Sequence, residues 1–391
     1  MPRSELWRDS NFMRLWTAQM VSAFGSRITR TALPIIAVAT LGVPEGMMGI
    51  MSAAQFAPGV LIAMFAGGYI DRHSKRSILI VADLVRAALV VSLPIAWWLG
   101  ALTLAQLAIV GAGVGAATAL FMITDNAYLP ALISKQHLEE GNAKLETSDA
   151  VAEISGPAAA GSLIAALGAP LAVVIDAASY VWSAWWLARI REPASTTVGA
   201  APVPPGRRNR TPALADLKFG LRTVFQHPEV KWLVLAHMIW AISGGFFMTL
   251  YSMYCLRVLH LSTATLGVVI ACGGVGALLG ALLSRFMKRE FGIGPTIIIA
   301  STLSLLAALL MPLAAGRSHA TMLALLITHQ VASDGFSVAY VVQAVTLRQT
   351  VLPTDVLGRC NAAIHVCTNG IVPLAALTAG VIAQYAGITT A

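Results

Sequence analysis

The chain is 391 residues long, 57% hydrophobic and only 11% charged, whereas soluble proteins carry about a quarter charged residues. That ratio leaves too little polar surface for a water-soluble globule and excludes an ordinary soluble enzyme. The net charge of +8 would suit a nucleic-acid binder, but the basic residues are placed to mark one side of a membrane instead.

Apolar stretches of about 20 residues cross a hydrocarbon layer about 30 Å thick. They recur here at 12–41, 47–70, 77–99, 102–125, 147–168, 169–190, 230–256, 262–284, 295–314, 319–345 and 360–386, which predicts an all-α polytopic membrane protein with eleven spans. The first stretch is too long for a signal peptide and carries arginines, so it is expected to stay as a helix. Arg27 and Arg30 share one face near its middle. A charge there costs about 2.5–3.5 kcal/mol, so both should face a cavity or a partner.

The second and third spans are joined by Gly67 to Arg76 (GGYIDRHSKR), and the same kind of turn returns 213 residues later as Gly280 to Arg289 (GALLSRFMKR). Arg72, Lys75 and Arg76 align with Arg285, Lys288 and Arg289, while Ser284 stands where Asp71 would. Duplication of this kind builds a cavity between two half-molecules. In the third span Asp83 and Arg86, i to i+3, can pair. Gly111, Gly113 and Gly115, like Gly273, Gly274, Gly276 and Gly280 further on, are read as positions of close helix approach. Neither run follows a strand or carries a P-loop lysine, so ATP is not the expected energy source.

In the fifth span Asp149 and Glu153, i to i+4, are the acids available to Arg27 and Arg30. Asp176 falls in the outer half of the sixth span without an assigned role. Residues 191–211 have a linker composition, and Leu214, Leu217, Leu221 and Val224 then line one face of a helix expected to lie on the inner leaflet. Near the centre of the tenth span, five residues after His329, Asp334 is read as a substrate or proton ligand, or else as a hydrogen-bonded structural carboxyl. His237 and His365 are read as packing residues. Cys255, Cys272, Cys360 and Cys367 match no metal or redox spacing. A second repeat mark comes last: Asn142, Gly161 and Gly168 recur 219 positions on as Asn361, Gly380 and Gly387. This pairs the fifth span with the eleventh and leaves the sixth without a partner, as in a chain truncated from twelve spans or one that works with eleven.

With the N-terminus taken as inside, 20 of the 26 Lys and Arg fall on inner segments, and only Arg257 and Arg317 lie outside. This bias predicts a cytoplasmic N-terminus. Trp7, Trp16, Trp97, Trp98, Trp182, Trp185 and Trp186 cluster near span ends, as interfacial anchors do.

Gly67-x-Tyr-Ile-Asp71-Arg72-x-Ser74-Lys75-Arg76-x-x-Leu79 resembles the signature of the major facilitator superfamily, with Tyr69 and Ser74 in place of Leu and Gly. Segments 11–34, 126–157 and 213–235 are similar to its branch of proton-linked drug exporters, which includes macrolide and siderophore (enterobactin-type) exporters. Ala152-x-x-x-Gly156-Pro157-x-x-Ala160-Gly161 resembles the antiporter motif of the fifth span, with alanine at two of its glycines and the Gly-Pro kink retained. The branch often places an acid before Arg27, where this chain has Ser26, and the fourth span lacks the arginine of many drug antiporters. The resemblance implies the major facilitator fold: two pseudo-symmetric six-helix bundles with alternating access, the twelfth helix missing here. It also implies a gating role for Gly67, Asp71, Arg72, Lys75 and Arg76. Asp71 would meet the start of the eleventh span near Gly358, a charge–dipole contact that latches the outward-facing state.

The expected organisation is an N-terminal six-helix bundle over 1–190, a cytoplasmic linker with its amphipathic surface helix over 191–228, and a C-terminal bundle of five spans over 229–391. The expected function is secondary export of amphipathic organic compounds or drugs across the inner membrane by proton antiport. Arg27, Arg30, Asp149, Glu153 and Asp334 serve proton coupling or the substrate cavity, with Glu153 taking up a proton and releasing Arg27, or else holding a static ion pair. Gly156, Pro157 and Gly161 form the antiporter-like kink. The protein would work as a monomer on a small-molecule substrate and protons in the lipid bilayer, without cofactor, metal or nucleic acid. A dedicated exporter of one siderophore or lipid-like metabolite is the alternative within transport; a non-transporting membrane sensor or truncated relic is the alternative outside it.

Overall fold

The structure, a computed structural model, describes residues 5–70, 72–191 and 213–391. Asp71 and most of the expected linker lie outside the described residues. The rest is helical throughout, without a strand among the described residues.

Among the described residues eleven long helices run up and down: α1 (Ser10–Ile35), α2 (Glu45–Ile70), α3 (Lys75–Trp98), α4 (Leu104–Leu132), α5 (Leu138–Leu167), α6 (Ala169–Ala188), α8 (Pro228–Met253), α9 (Thr263–Phe291), α10 (Ile293–Ala308), α11 (His319–Val351) and α12 (Thr354–Ala386), with the shorter α7 (Ala213–Gln226) between the halves. We call the end where α1 begins the near side and the opposite end the far side. Short polar residues set the starts, because their side-chain oxygens satisfy N–H groups the first helical turn leaves unpaired. Asp9 accepts from the amides of Asn11 (2.8 Å) and Phe12 (3.0 Å). Ser74, which departs from the superfamily signature, caps α3 through the Ser77 amide. Thr103, Ser262 and Ser318 cap α4, α9 and α11 in the same way.

Among the described residues seven helices, α3, α4, α6, α8, α9, α10 and α12, are long and apolar enough to cross a membrane. The expected eleven spans include four others. Of these, α1, α5 and α11 carry Arg27 and Arg30, Asp149 and Glu153, and Gln330 and Asp334, the polar groups of the interior.

The duplication is visible in backbone geometry. Both α1 and α8 end in a π-turn, Ile36–Thr40 and Tyr254–Val258, 218 residues apart. Both α5 and α12 stop at a glycine with positive φ, Gly168 at 81° and Gly387 at 89°, a conformation that costs a side-chain-bearing residue and suits glycine. The packing repeats too. In the first half α1 packs on α5, α2 on α4 and α3 on α4; in the second, α8 packs on α12, α9 on α11 and α10 on α11. By contrast α6, seated against α1 and α3, has no counterpart among the described residues.

One hydrophobic core at the far side joins both bundles, with Ile36, Val43 and Met48 packed in the same cluster as Tyr254, Leu259 and Leu266. At the near side the cores are separate: Phe12, Leu79 and Leu187 in the first bundle, Met287, Ile297 and Tyr340 in the second. The bundles therefore meet at the far side and have independent interiors at the near side.

Helix α7 packs on the start of α12: Val224 is buried with Cys360 and Ile364, and Arg359 covers the Phe219 ring at 4.2 Å. A methyl group on Gly220 would collide with the Arg359 carbonyl, so this glycine permits the approach.

Candidate functional site

α1 and α5 cross where Gly156 faces Arg27. A β-carbon on Gly156 would stand 2.6 Å from Arg27 Cβ and 2.7 Å from Cγ, so the glycine makes room for the arginine stem. The Arg27 guanidinium then reaches Asp149 at 2.8 Å and Glu153 at 2.5 Å, and Arg30 reaches Glu153 at 3.0 Å. Arg27 is 13% exposed, while Glu153 and Asp149 are 48% and 57% exposed. The cluster is thus a wall of an open space rather than a dry core, and its carboxylates can be reached.

The opposite wall belongs to the second bundle. Gln330 on α11 donates to Asp334 Oδ2 at 2.7 Å and accepts from the Tyr251 hydroxyl at 3.1 Å, and Tyr251 stacks on Phe247 at 4.4 Å. Gly273 of α9 leaves the space this carboxyl and amide occupy. α9 also packs on α5, the helix that carries Asp149 and Glu153. His329 instead turns away to bond the Ala307 carbonyl at 3.0 Å.

The far side is closed by contacts between bundles. Arg257 bonds Glu45 at 3.3 Å and the Val43 carbonyl at 2.9 Å. Two glycine pairs let backbones touch: a β-carbon on Gly161 would lie 2.8 Å from Gly267 Cα, and one on Gly380 would lie 2.8 Å from Gly49 Cα. Gly161 and Gly380 are the repeat-related glycines, so the two crossings, α5 on α9 and α12 on α2, are copies of one another. The two bundles are therefore held together at the far side.

The sequence-derived candidates fall into separate places. Arg27, Arg30, Asp149 and Glu153 form one cluster; Asp334 lies apart from it, on Gln330 and against Gly273 in the second bundle; Gly161 belongs to the far-side closure. Pro157 lies within α5, its side chain outside the description. The signature residues lie elsewhere, at the near-side turn. Gly67 is in the last turns of α2, Arg72 is exposed and Lys75 begins α3. Arg76 donates to the Leu187 carbonyl at 2.9 Å and to that of Ala188, joined by Arg14 on the Arg189 carbonyl at 2.5 Å. Both arginines thereby satisfy the unpaired carbonyls at the C-terminus of α6, where a positive charge also suits the helix dipole.

His237 bonds the Tyr340 hydroxyl at 3.0 Å and His365 lies 3.0 Å from the Asn369 amide. Asp83 and Arg86 pair as expected, buried. Sequence reasoning missed Gln330, Tyr251, Glu45 and Val43. Neutral amides and phenols carry no spacing signal in an apolar helix, but Arg257, one of only two basic residues outside, was a usable one.

Residues 15–376 match the Major Facilitator Superfamily profile. Among curated relatives, the uncharacterized MFS-type transporter YfiS of Bacillus subtilis (strain 168) is 23% identical over 98% of this chain and 89% of its own length. The uncharacterized MFS-type transporter y4rN of Sinorhizobium fredii (strain NBRC 101917 / NGR234) is 23% identical over 69% of this chain and 65% of its own length, so the match spans just under two thirds of that relative. Among solved structures, a bacterial homologue of the iron transporter ferroportin in its inward-facing state aligns at TM-score 0.73 and 16% identity, covering 99% of this chain and 96% of that one. The outward-facing state of such a homologue aligns at 0.56, with 16% identity and coverage of 97% and 98%. With a matching profile over most of its length and the duplicated helical fold, the chain belongs to the Major Facilitator Superfamily and is a transporter, not an enzyme.

Proposed function

We propose that the protein exports amphipathic organic compounds by exchange with protons, through alternating access of one cavity between the two bundles. The observation that supports this reading is the cluster of Arg27, Arg30, Asp149 and Glu153 in the first bundle, with the Asp334 carboxyl on α11 of the second. Two guanidiniums meet three carboxyls, so the cavity has room for one further positive charge. A proton or a cationic substrate can supply it, and each disfavours the other by like-charge repulsion. Competition for one charge is the minimum an exchanger needs.

The near side is the cytoplasm in this reading, because the basic residues concentrate there. A cavity closed at Arg257–Glu45 and the glycine crossings is then open to the inside, where an exporter loads. The resemblance of the fifth span to the antiporter motif supports the outward direction. Protons returning down their gradient, together with about 2.3 kcal/mol per charge per 100 mV of membrane potential, drive the cycle. In each turn Glu153 takes a proton, loses its hold on Arg27 and Arg30, and frees α1 to move against α5.

The test is transport of a fluorescent cationic dye in proteoliposomes with an imposed pH gradient. The wild-type protein should accelerate dye movement against the proton flux, and Glu153→Gln should abolish the dependence on the gradient. Equal rates in the variant and the wild type would remove Glu153 from the coupling, and dye-independent behaviour of both would remove export itself.

A further inference from the structure

A second group of ionisable side chains lies inside the first bundle, away from the cavity cluster. On α3, Asp83 is 0% and Arg86 3% exposed; on α6, Asp176 is 0% exposed and Tyr180 is buried. Arg86 pairs with Asp83 and is held between the rings of Phe121 and Tyr180, its guanidinium carbon 4.4 Å from each centroid. Asp125 on α4, part-buried, accepts from Gln19 of α1. Asp176 accepts from the Ser179 hydroxyl at 3.1 Å, with Thr29 of α1 beside it. α5, which also packs on α1 and α6, keeps Asp149 and Glu153 on the cavity arginines and Lys144 on Glu140.

The charges do not balance: the two fully buried carboxyls of Asp83 and Asp176, with the part-buried Asp125 on α4, have one buried guanidinium, that of Arg86, which pairs with Asp83. An isolated buried carboxylate costs several kcal/mol or more, and such groups neutralise instead of staying charged. Asp176 has only neutral hydroxyl neighbours on its own helix and on α1, Ser179 and Thr29.

We propose that Asp83 and Asp176, with the part-buried Asp125 at the edge, form a proton-binding site inside the first bundle, with Arg86 as its counter-cation, that keeps at least one proton at neutral pH. Its link to the cavity is the hydroxyl pair Tyr180–Ser26 at 3.1 Å. Tyr180 covers Arg86, and Ser26 precedes Arg27 on α1. Protons would pass by hydroxyl exchange, each oxygen accepting one as it gives one up, with no net charge left on either.

This goes beyond the export reading and does not need it, because the test reads the proton directly. Infrared spectra of the purified full-length protein in lipid nanodiscs at neutral pH would be compared with those of Asp83→Asn, Asp125→Asn, Asp176→Asn, Asp334→Asn and Glu153→Gln. The protonated-carboxyl band should lose intensity in at least one of the first three variants. In heavy water its isotope shift should develop more slowly in Tyr180→Phe, which keeps the ring over Arg86 and removes the hydroxyl. A band unchanged in all three aspartate variants, or lost only in Asp334→Asn or Glu153→Gln, would overturn the site. An unchanged exchange rate in Tyr180→Phe would overturn the link.

Discussion

The two bundles share one set of helix pairings but fill them with different chemistry. In the first, α3 meets α4 and α6 through Asp83, Arg86, Phe121 and Tyr180. In the second, the related helix α10 meets α11 through hydroxyls, Ser304 bonding Ser337 at 2.8 Å and the Ser333 carbonyl at 3.0 Å. The proposed cavity residues repeat the contrast: four charged side chains cluster in the first bundle, and one carboxyl is steadied by an amide and a phenol in the second. Duplication preserved the backbone arrangement, which glycine spacing and apolar faces enforce. It left the polar contents free to diverge, so the ionic chemistry is concentrated in one half.

Removing charge should therefore harm the first bundle far more than removing a hydroxyl harms the second. Arg86→Met strands buried carboxyls and should cost about 3–5 kcal/mol, seen as a large fall in the thermal unfolding midpoint in detergent. Adding Asp83→Asn to that variant should recover part of the loss, and no recovery would show that the pair is not the reason.

Backbone crossings should behave alike in both halves. Gly280→Ala drives a methyl group against the Gly335 carbonyl and Gly115→Ala drives one against that of Gln55, so each should cost about 1–3 kcal/mol. A tolerant site in one half would break the proposed equivalence of the crossings.

Ser304→Ala should cost only about 1 kcal/mol, and a loss as large as that of Arg86→Met would refute the contrast. The smallest effect is expected at the far-side closure, where Arg257 and Glu45 are each about a third exposed. Arg257→Ala should weaken it by up to about 1 kcal/mol, measured as a few-fold rise in labelling of a cysteine introduced beside Gly49. Equal labelling would leave the closure to the glycine crossings.

Much of this was legible beforehand because it depends on short-range rules. Arg27 and Arg30 on one face, and Asp149 and Glu153 on another, follow from helical periodicity, and a mid-span charge must find a partner. The glycine runs announced close crossings, and the 219-residue spacing of Gly161 and Gly380 marked copies of one contact. The roles of the basic turn were not legible. Arg76 meets the carbonyl end of α6, and no local pattern shows which helix end lies beside a given arginine.

The sequence by itself determined that the chain is helical, lipid-facing and doubled, since hydropathy, span length and internal repetition act along the chain. Tertiary structure alone decided which charges share a pocket. It set Tyr180 between Arg86 and Ser26, brought Arg27 onto Asp149 and Glu153, and seated Arg76 on the carbonyls of Leu187 and Ala188. Electrostatic energy depends on separation and burial in space, and residues roughly ninety to one hundred and fifty positions apart acquire those only when the helices assemble.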